Sequence, residues 1–167
     1  MQKKTSILNI STLVVLMLSC LLAVGTSHAA RTAPNFALQD LKGKSYSLKQ
    51  YRGKVVLVDF WASWCGPCRK SFPWMNKMQR KYGGKGFKIL AINVDTEKEL
   101  ARAFLSRNKA EFKVLLDPAG GVAEKYKVVA MPSSFLIDKN GKIVNKHHGF
   151  LQKDVEKKEK EIQKLLR

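Results

Sequence analysis

The segment Val55-Val56-Leu57-Val58-Asp59-Phe60-Trp61-Ala62-Ser63-Trp64-Cys65-Gly66-Pro67-Cys68-Arg69 joins a strand, a loop and the start of a helix. From Val55 to Phe60 the chain is apolar and rich in β-branched residues, interrupted only by Asp59. A run so short and continuous reads as a central strand buried on both faces. Beyond it lies Cys65-Gly66-Pro67-Cys68, and because Pro67 suits the first turn of a helix, Cys65 is placed at or beside the N-cap. Unpaired backbone N–H groups and the positive end of the helix dipole favour a thiolate there, lowering a thiol pKa from about 8.5 towards 7 or below. Cys68, one helical turn further on, is close enough to attack a mixed disulfide on Cys65 and is expected to be the more buried of the two.

Working outward, the helix runs from about Pro67 to Tyr82 and is ended by Gly83 and Gly84, with Pro73 expected to bend it. Phe87 to Val94 is the next buried strand. Thr96 and Glu99 have the spacing of a capping box, and Leu100, Ala103, Phe104 and Arg107 continue with helical period to about Asn108. Val114 to Leu116 reads as a short strand and Gly121 to Tyr126 as a short helix. Phe135 to Ile137 is a strand closed by the turn Asp138-Lys139-Asn140-Gly141, with Lys142 to His147 as its hairpin partner. In the last helix, Asp154 to Leu166, the residues Val155, Ile162, Leu165 and Leu166 can dock on a sheet. Upstream, Phe36 and Leu38, a turn around Asp40 to Lys44, then Tyr46 and Leu48 form a hairpin. The order predicts an α/β fold whose sheet is covered on both faces.

Length and composition allow one compact domain, and a hydrophobic content of 45% excludes a disordered polar chain. The first residues read as an export signal. Lys3 and Lys4 form a basic start, Leu13 to Val24 is apolar, and Ser27 and Ala29 occupy the small-residue positions of a cleavage site. This predicts a signal peptide over 1–29 and a domain over 30–167. An uncleaved anchor is the alternative, since no charge falls between Lys4 and Arg31. Cleavage would remove Cys20 and leave Cys65 and Cys68 as the only cysteines, too few for a disulfide framework. In an oxidising compartment such a pair is either a structural bridge or kept for redox work.

Removing Lys3 and Lys4 from the formal charge of +18 leaves +16. Outside the cytoplasm nucleic acid is not an expected partner for this charge. The Lys-rich stretch from Lys153 to Lys164 includes Asp154, Glu156, Glu159 and Glu161 and reads as a solvated helix face. No metal is expected: structural zinc takes four ligands, and only His147 and His148 could add to the cysteine pair. Adjacent strand residues point to opposite faces, so at most one of the two could join, and surface positions are expected for both.

The segment from Val55 to Arg69 resembles the active-site strand and loop of thioredoxin. Ala33-Pro34-Asn35-Phe36 with Asp40-Leu41-Lys42-Gly43-Lys44, Leu115-Leu116-Asp117-Pro118, and Pro132-Ser133-Ser134-Phe135-Leu136-Ile137-Asp138-Lys139-Asn140-Gly141 are similar to segments of the exported TlpA/ResA-like branch. The resemblance covers nearly all of residues 31–150. It implies a thioredoxin-like fold, a central mixed sheet flanked by helices, with an N-terminal β-hairpin and a central helical insertion. It also implies that Cys65 is the nucleophile and Cys68 the resolving thiol of a redox disulfide, in a loop completed by Trp64, Gly66 and Pro67. By the same resemblance Asp59 is a buried acid for proton transfer, and Met131 and a cis Pro132 face the cysteines and align substrate.

These features lead to an exported thiol:disulfide oxidoreductase, periplasmic or otherwise extracytoplasmic, which reduces disulfides of protein substrates and needs no bound cofactor. The expected partners are exported protein thiols or disulfides and a membrane electron donor, and the domain is expected to be a monomer that meets the membrane only through its signal or an anchor. The resemblance suggests a role in cytochrome c maturation. Two alternatives stand beside this reading: a non-catalytic binding module with a static disulfide, and a peroxiredoxin-like peroxidase, for which the T-x-x-C environment is missing.

Overall fold

The computed structural model describes residues 31–167, so the expected signal segment 1–29 and Cys20 lie outside the described residues. Seven strands form one sheet in the order β2-β1-β5-β4-β3-β6-β7. These are β1 (Ala37–Gln39), β2 (Ser45–Ser47), β3 (Val55–Trp61), β4 (Phe87–Asn93), β5 (Lys113–Leu116), β6 (Ser133–Ile137) and β7 (Ile143–His148). The helices are α1 (Gly66–Tyr82), α2 (Lys98–Arg107), α3 (Gly121–Lys125) and α4 (Val155–Leu166). β3 runs parallel to β4, which runs parallel to β5, while β6 is antiparallel to β3 and β7 to β6. The sheet is therefore mixed, with α2, β5 and α3 inserted between β4 and β6.

Every residue of β3 is buried, which accounts for a sequence without polar alternation. Val55, Leu57 and Trp61 pack against Phe72, Met75 and Met78 of α1, Phe104 of α2 and Ile162 of α4. Val56, Val58 and Phe60 point the other way, to Phe36, Leu48, Val122 and Tyr126. Strand and α1 are thus held by one contiguous apolar layer, which fixes the loop between them. Among the described residues, no helix is long and apolar enough to cross a membrane.

Four local expectations change. Leu48 starts a 3-10 turn (Leu48–Tyr51) capped by Ser47 and Gln50, so the hairpin strand stops at Ser47. Thr96 and Glu99 form no capping box. The N-cap is Glu97, which makes no side-chain cap bond and whose third residue onward is Leu100, so no acid falls where the box needs one. His147 is half-buried rather than a free surface residue, with its Nε2 2.7 Å from Glu161 Oε2 of α4. The last helix is not a wholly solvated face either, because Lys158 is only 6% exposed.

Candidate active site

Cys65 is the N-cap of α1, with extended backbone at φ −84° and ψ 105°, and Pro67 occupies the first turn, where its missing N–H breaks no helical bond. The Cys68 N–H donates to Cys65 Sγ at 3.2 Å. In this structure the two cysteines are joined as a disulfide with their Cα atoms 5.3 Å apart, so Cys65 Sγ stands in for the thiolate of the reduced pair. Cys65 is 4% exposed and Cys68 fully buried, the order expected from the sequence. The helix passes through Pro73, which has no N–H for the Arg69 carbonyl.

The loop before Cys65 is anchored by a residue that the sequence reading passed over. Asp95, just beyond β4, accepts from the Ser63 N–H at 3.0 Å, from Ser63 Oγ at 3.1 Å and from Asn93 Nδ2 at 2.7 Å. Two polar residues closing an apolar strand were the available signal, with Asn93 and Asp95 framing Val94, and both are buried. Trp61 lies in the core, its ring 5.1 Å from Phe72 and 4.7 Å from Phe104. Trp64, by contrast, is 72% exposed at the loop.

Asp59 lies on the β3 face that α1 covers, 2% exposed. Its register partner on β6 is Ser134, whose Oγ donates to Asp59 Oδ1 at 2.6 Å, whereas Oδ2 has no hydrogen-bond partner among the described residues. Burial pushes the carboxyl up to about 7 from its ordinary 3.8, against the opposing effects of the Ser134 bond and the Lys158 ammonium. The same row continues across the sheet, since Ser134 pairs in register with His147 on β7. Ser134, His147, Lys158, Glu161 and Trp74 line a small cavity of about 10 Å³ beside the acid. Lys158 is held there by the Gly149 carbonyl, at 3.4 Å, and by the ring faces of Phe150 and Trp74. Burial lowers its pKa, while the negative charge of Asp59 acts to raise it. Helical periodicity could have placed Lys158 on the inner face with Val155 and Ile162, but its charge argued for solvent.

The Met131–Pro132 peptide bond is cis, and Met131 is partly buried against the cluster that contains both cysteines. Pro132 lies one residue before β6, and its carbonyl accepts from Gly149 N–H at 2.8 Å. The expected site residues thus fall into two groups: Cys65, Gly66, Pro67 and Cys68 form the start of α1, with Met131 packed against the apolar cluster that includes both cysteines, while Asp59 lies on β3 beside Ser134 and Lys158. His148 belongs to neither and contacts Ser133 Oγ at 3.2 Å.

The AhpC/TSA family model matches residues 29–146. A thiol-disulfide oxidoreductase ResA from Bacillus thuringiensis subsp. konkukian is 40% identical over 119 residues, which span 71% of this chain and 69% of that protein. A Chlorobium tepidum structure described as a thiol:disulfide interchange protein DsbE is 48% identical, with a TM-score of 0.80 over 83% of this chain and 97% of the other. The exposed lipoprotein thioredoxin Etrx1 of Streptococcus pneumoniae is 31% identical, with a TM-score of 0.68 over 79% of this chain and all 100% of the other. With a disulfide-forming C-x-x-C at the N-terminus of α1 and relatives of this kind, the chain is a thiol-disulfide oxidoreductase and belongs to the AhpC/TSA family, thioredoxin-like in fold.

Proposed function

We propose that this protein is an exported reductase of protein disulfides. The observation that carries the reading is Cys65 Sγ at the N-cap of α1, accepting the Cys68 N–H, where a backbone donor and the helix dipole favour a thiolate. The Cys65 thiolate attacks one sulfur of the client disulfide, and the other client sulfur leaves and takes up a proton. Cys68, deprotonated, then attacks Cys65 Sγ, which expels the second client thiolate. Two electrons pass from the dithiol to the client, leaving the Cys65–Cys68 disulfide. Asp59 accepts and returns the proton of Cys68, a task suited to a carboxyl held near neutrality. Lys158 keeps that carboxyl from rising further. Trp64, Gly66 and Pro67 shape the loop, and Met131 with Pro132 aligns the client chain.

A moderate thiolate leaves the disulfide comparatively stable, whereas a strongly stabilised one makes an oxidant. No histidine lies between Cys65 and Cys68, and Arg69 is the adjacent cation. Reduction is the direction this favours, with regeneration by a membrane dithiol donor. Export of the domain 30–167 after loss of 1–29, or its retention by an uncleaved anchor, fits a pneumococcal relative described as an exposed lipoprotein. The clients are exported cysteine pairs, including those exposed in cytochrome c maturation, and the domain acts as a monomer. Equilibration with glutathione buffers tests the direction. The expected potential is about −270 mV, and a value near −120 mV with a Cys65 pKa of about 3.5 would overturn it. Insulin reduction with dithiothreitol tests the exchange itself, because a non-catalytic module would give no acceleration.

A further inference from the structure

Beside the redox loop lies an open cleft of about 410 Å³, walled by Ser63, Trp64 and Arg69 on one side and by Leu100, Phe104 and Arg107 of α2 on the other. Two of the four large apolar side chains exposed among the described residues, Trp64 and Leu100, meet in it. Exposing both to water is unfavourable unless a partner covers them.

The polar part of this cleft carries one sign. Its charged lining consists of Arg69 and Arg107, and neither guanidinium has a carboxylate within 4.0 Å among the described residues. Arg107 has one weak internal contact, Nε to the Ala103 carbonyl at 3.4 Å. Arg80 of α1, by contrast, is paired with Glu111 at 2.7 Å. The carboxylate behind the floor, Asp95, has both oxygens occupied by Ser63 and Asn93. Glu97 and Glu99 stand at the opposite end of α2 from Arg107. A guanidinium presents a planar fork of donors that matches a carboxylate.

We propose that this cleft is the client-docking site and selects polypeptide segments that place an acidic side chain beside an apolar one close to the cysteine under attack. The apolar group covers Trp64, Leu100 and Phe104 while the carboxylate meets Arg69 and Arg107. The proposal rests on the reductase reading and adds the chemistry of the client.

Three peptides with the same internal disulfide and a leucine beside one cysteine, differing only in a neighbouring Glu, Gln or Lys, test it with dithiothreitol as the regenerating reductant. The native protein is expected to reduce the Glu peptide with a kcat/KM about three- to fivefold above the Gln peptide, and the Lys peptide below it by a similar factor. Arg107→Glu should invert this order. Lys85→Glu, an equal charge change in the 3-10 turn Gly83–Lys85 just past the far end of α1, should preserve it. Equal rates for the three peptides, or an order that survives Arg107→Glu, would overturn the docking proposal while leaving disulfide reduction intact. An order lost equally in Lys85→Glu would also overturn it, by showing that net charge and not the cleft discriminates. Absence of turnover with every peptide would overturn the reductase reading and the docking proposal with it.

Discussion

Asp59 is the residue at which stability and activity pull in opposite directions. Its folded pKa of about 7 lies above the ordinary 3.8, so between these values the folded state binds the extra proton and the unfolded state does not. Its contribution therefore falls as pH rises through that window, and above pH 7 the whole cost of a buried carboxylate is present. Asp59→Asn should stabilise the protein at pH 8 by at most about 4 kcal/mol, a gain that shrinks towards zero near pH 4. Denaturant unfolding at the two pH values checks this. The same variant should slow disulfide exchange, because an amide cannot carry the proton of Cys68.

Lys158 acts on the same carboxyl. Replacing it by Met removes the ammonium that opposes burial, so Asp59 should titrate higher still, and the pH at which exchange accelerates should move up with it. Lys158→Arg should restore much of the native profile. In an Asp59→Asn background neither change at position 158 should move the profile, which separates electrostatic tuning from loss of packing. Stopped-flow measurement of the resolving step across pH reads all three.

At the scale of elements, two aspartates hold two different joints. Asp117 accepts from the N–H groups of Val122 and Ala123, both at 2.9 Å, at the start of α3. Asp95 instead ties β4 to the redox loop through Ser63. Asp117→Ala should cost about 1–2 kcal/mol of stability and leave exchange unchanged. Asp95→Ala should cost a similar amount and also reduce the exchange rate, because the backbone just before Cys65 loses its anchor. Measuring stability and insulin reduction side by side distinguishes them.

The alternation of helix and strand was legible from Val55 onward because the apolar runs are short, buried and bounded by glycine turns such as Asp138 to Gly141, where Gly141 has φ +73°. Cys65 at the N-cap was legible too, since Pro67 marks a first turn from sequence alone. The expectations that failed are those in which a distant contact overrides a local pattern. Thr96 has the spacing of a cap, yet the helix starts one residue later, beyond the anchored Asp95. Lys158 looks like surface charge, yet α4 lays it over the buried acid. Ser134 carries no local signal at all, and only the register of β6 on β3 brings it to Asp59.

For the whole molecule, the sheet and its two apolar layers hold the redox loop at the N-terminus of α1 and bury Asp59 on the β3 face that α1 covers. The mature protein should begin at Ala30, and intact-mass measurement of the native protein should show residues 1–29 removed; a mass that retains them, in the membrane fraction, would favour the anchored form. The division of labour within the cysteine pair is directly measurable. Cys65→Ser and Cys68→Ser proteins are each exposed to a disulfide-containing client, and covalent adducts are measured by intact mass after acid quenching. Cys68→Ser should accumulate a mixed disulfide through Cys65, and Cys65→Ser should accumulate none. Adducts on Cys65→Ser and none on Cys68→Ser would contradict that division of labour.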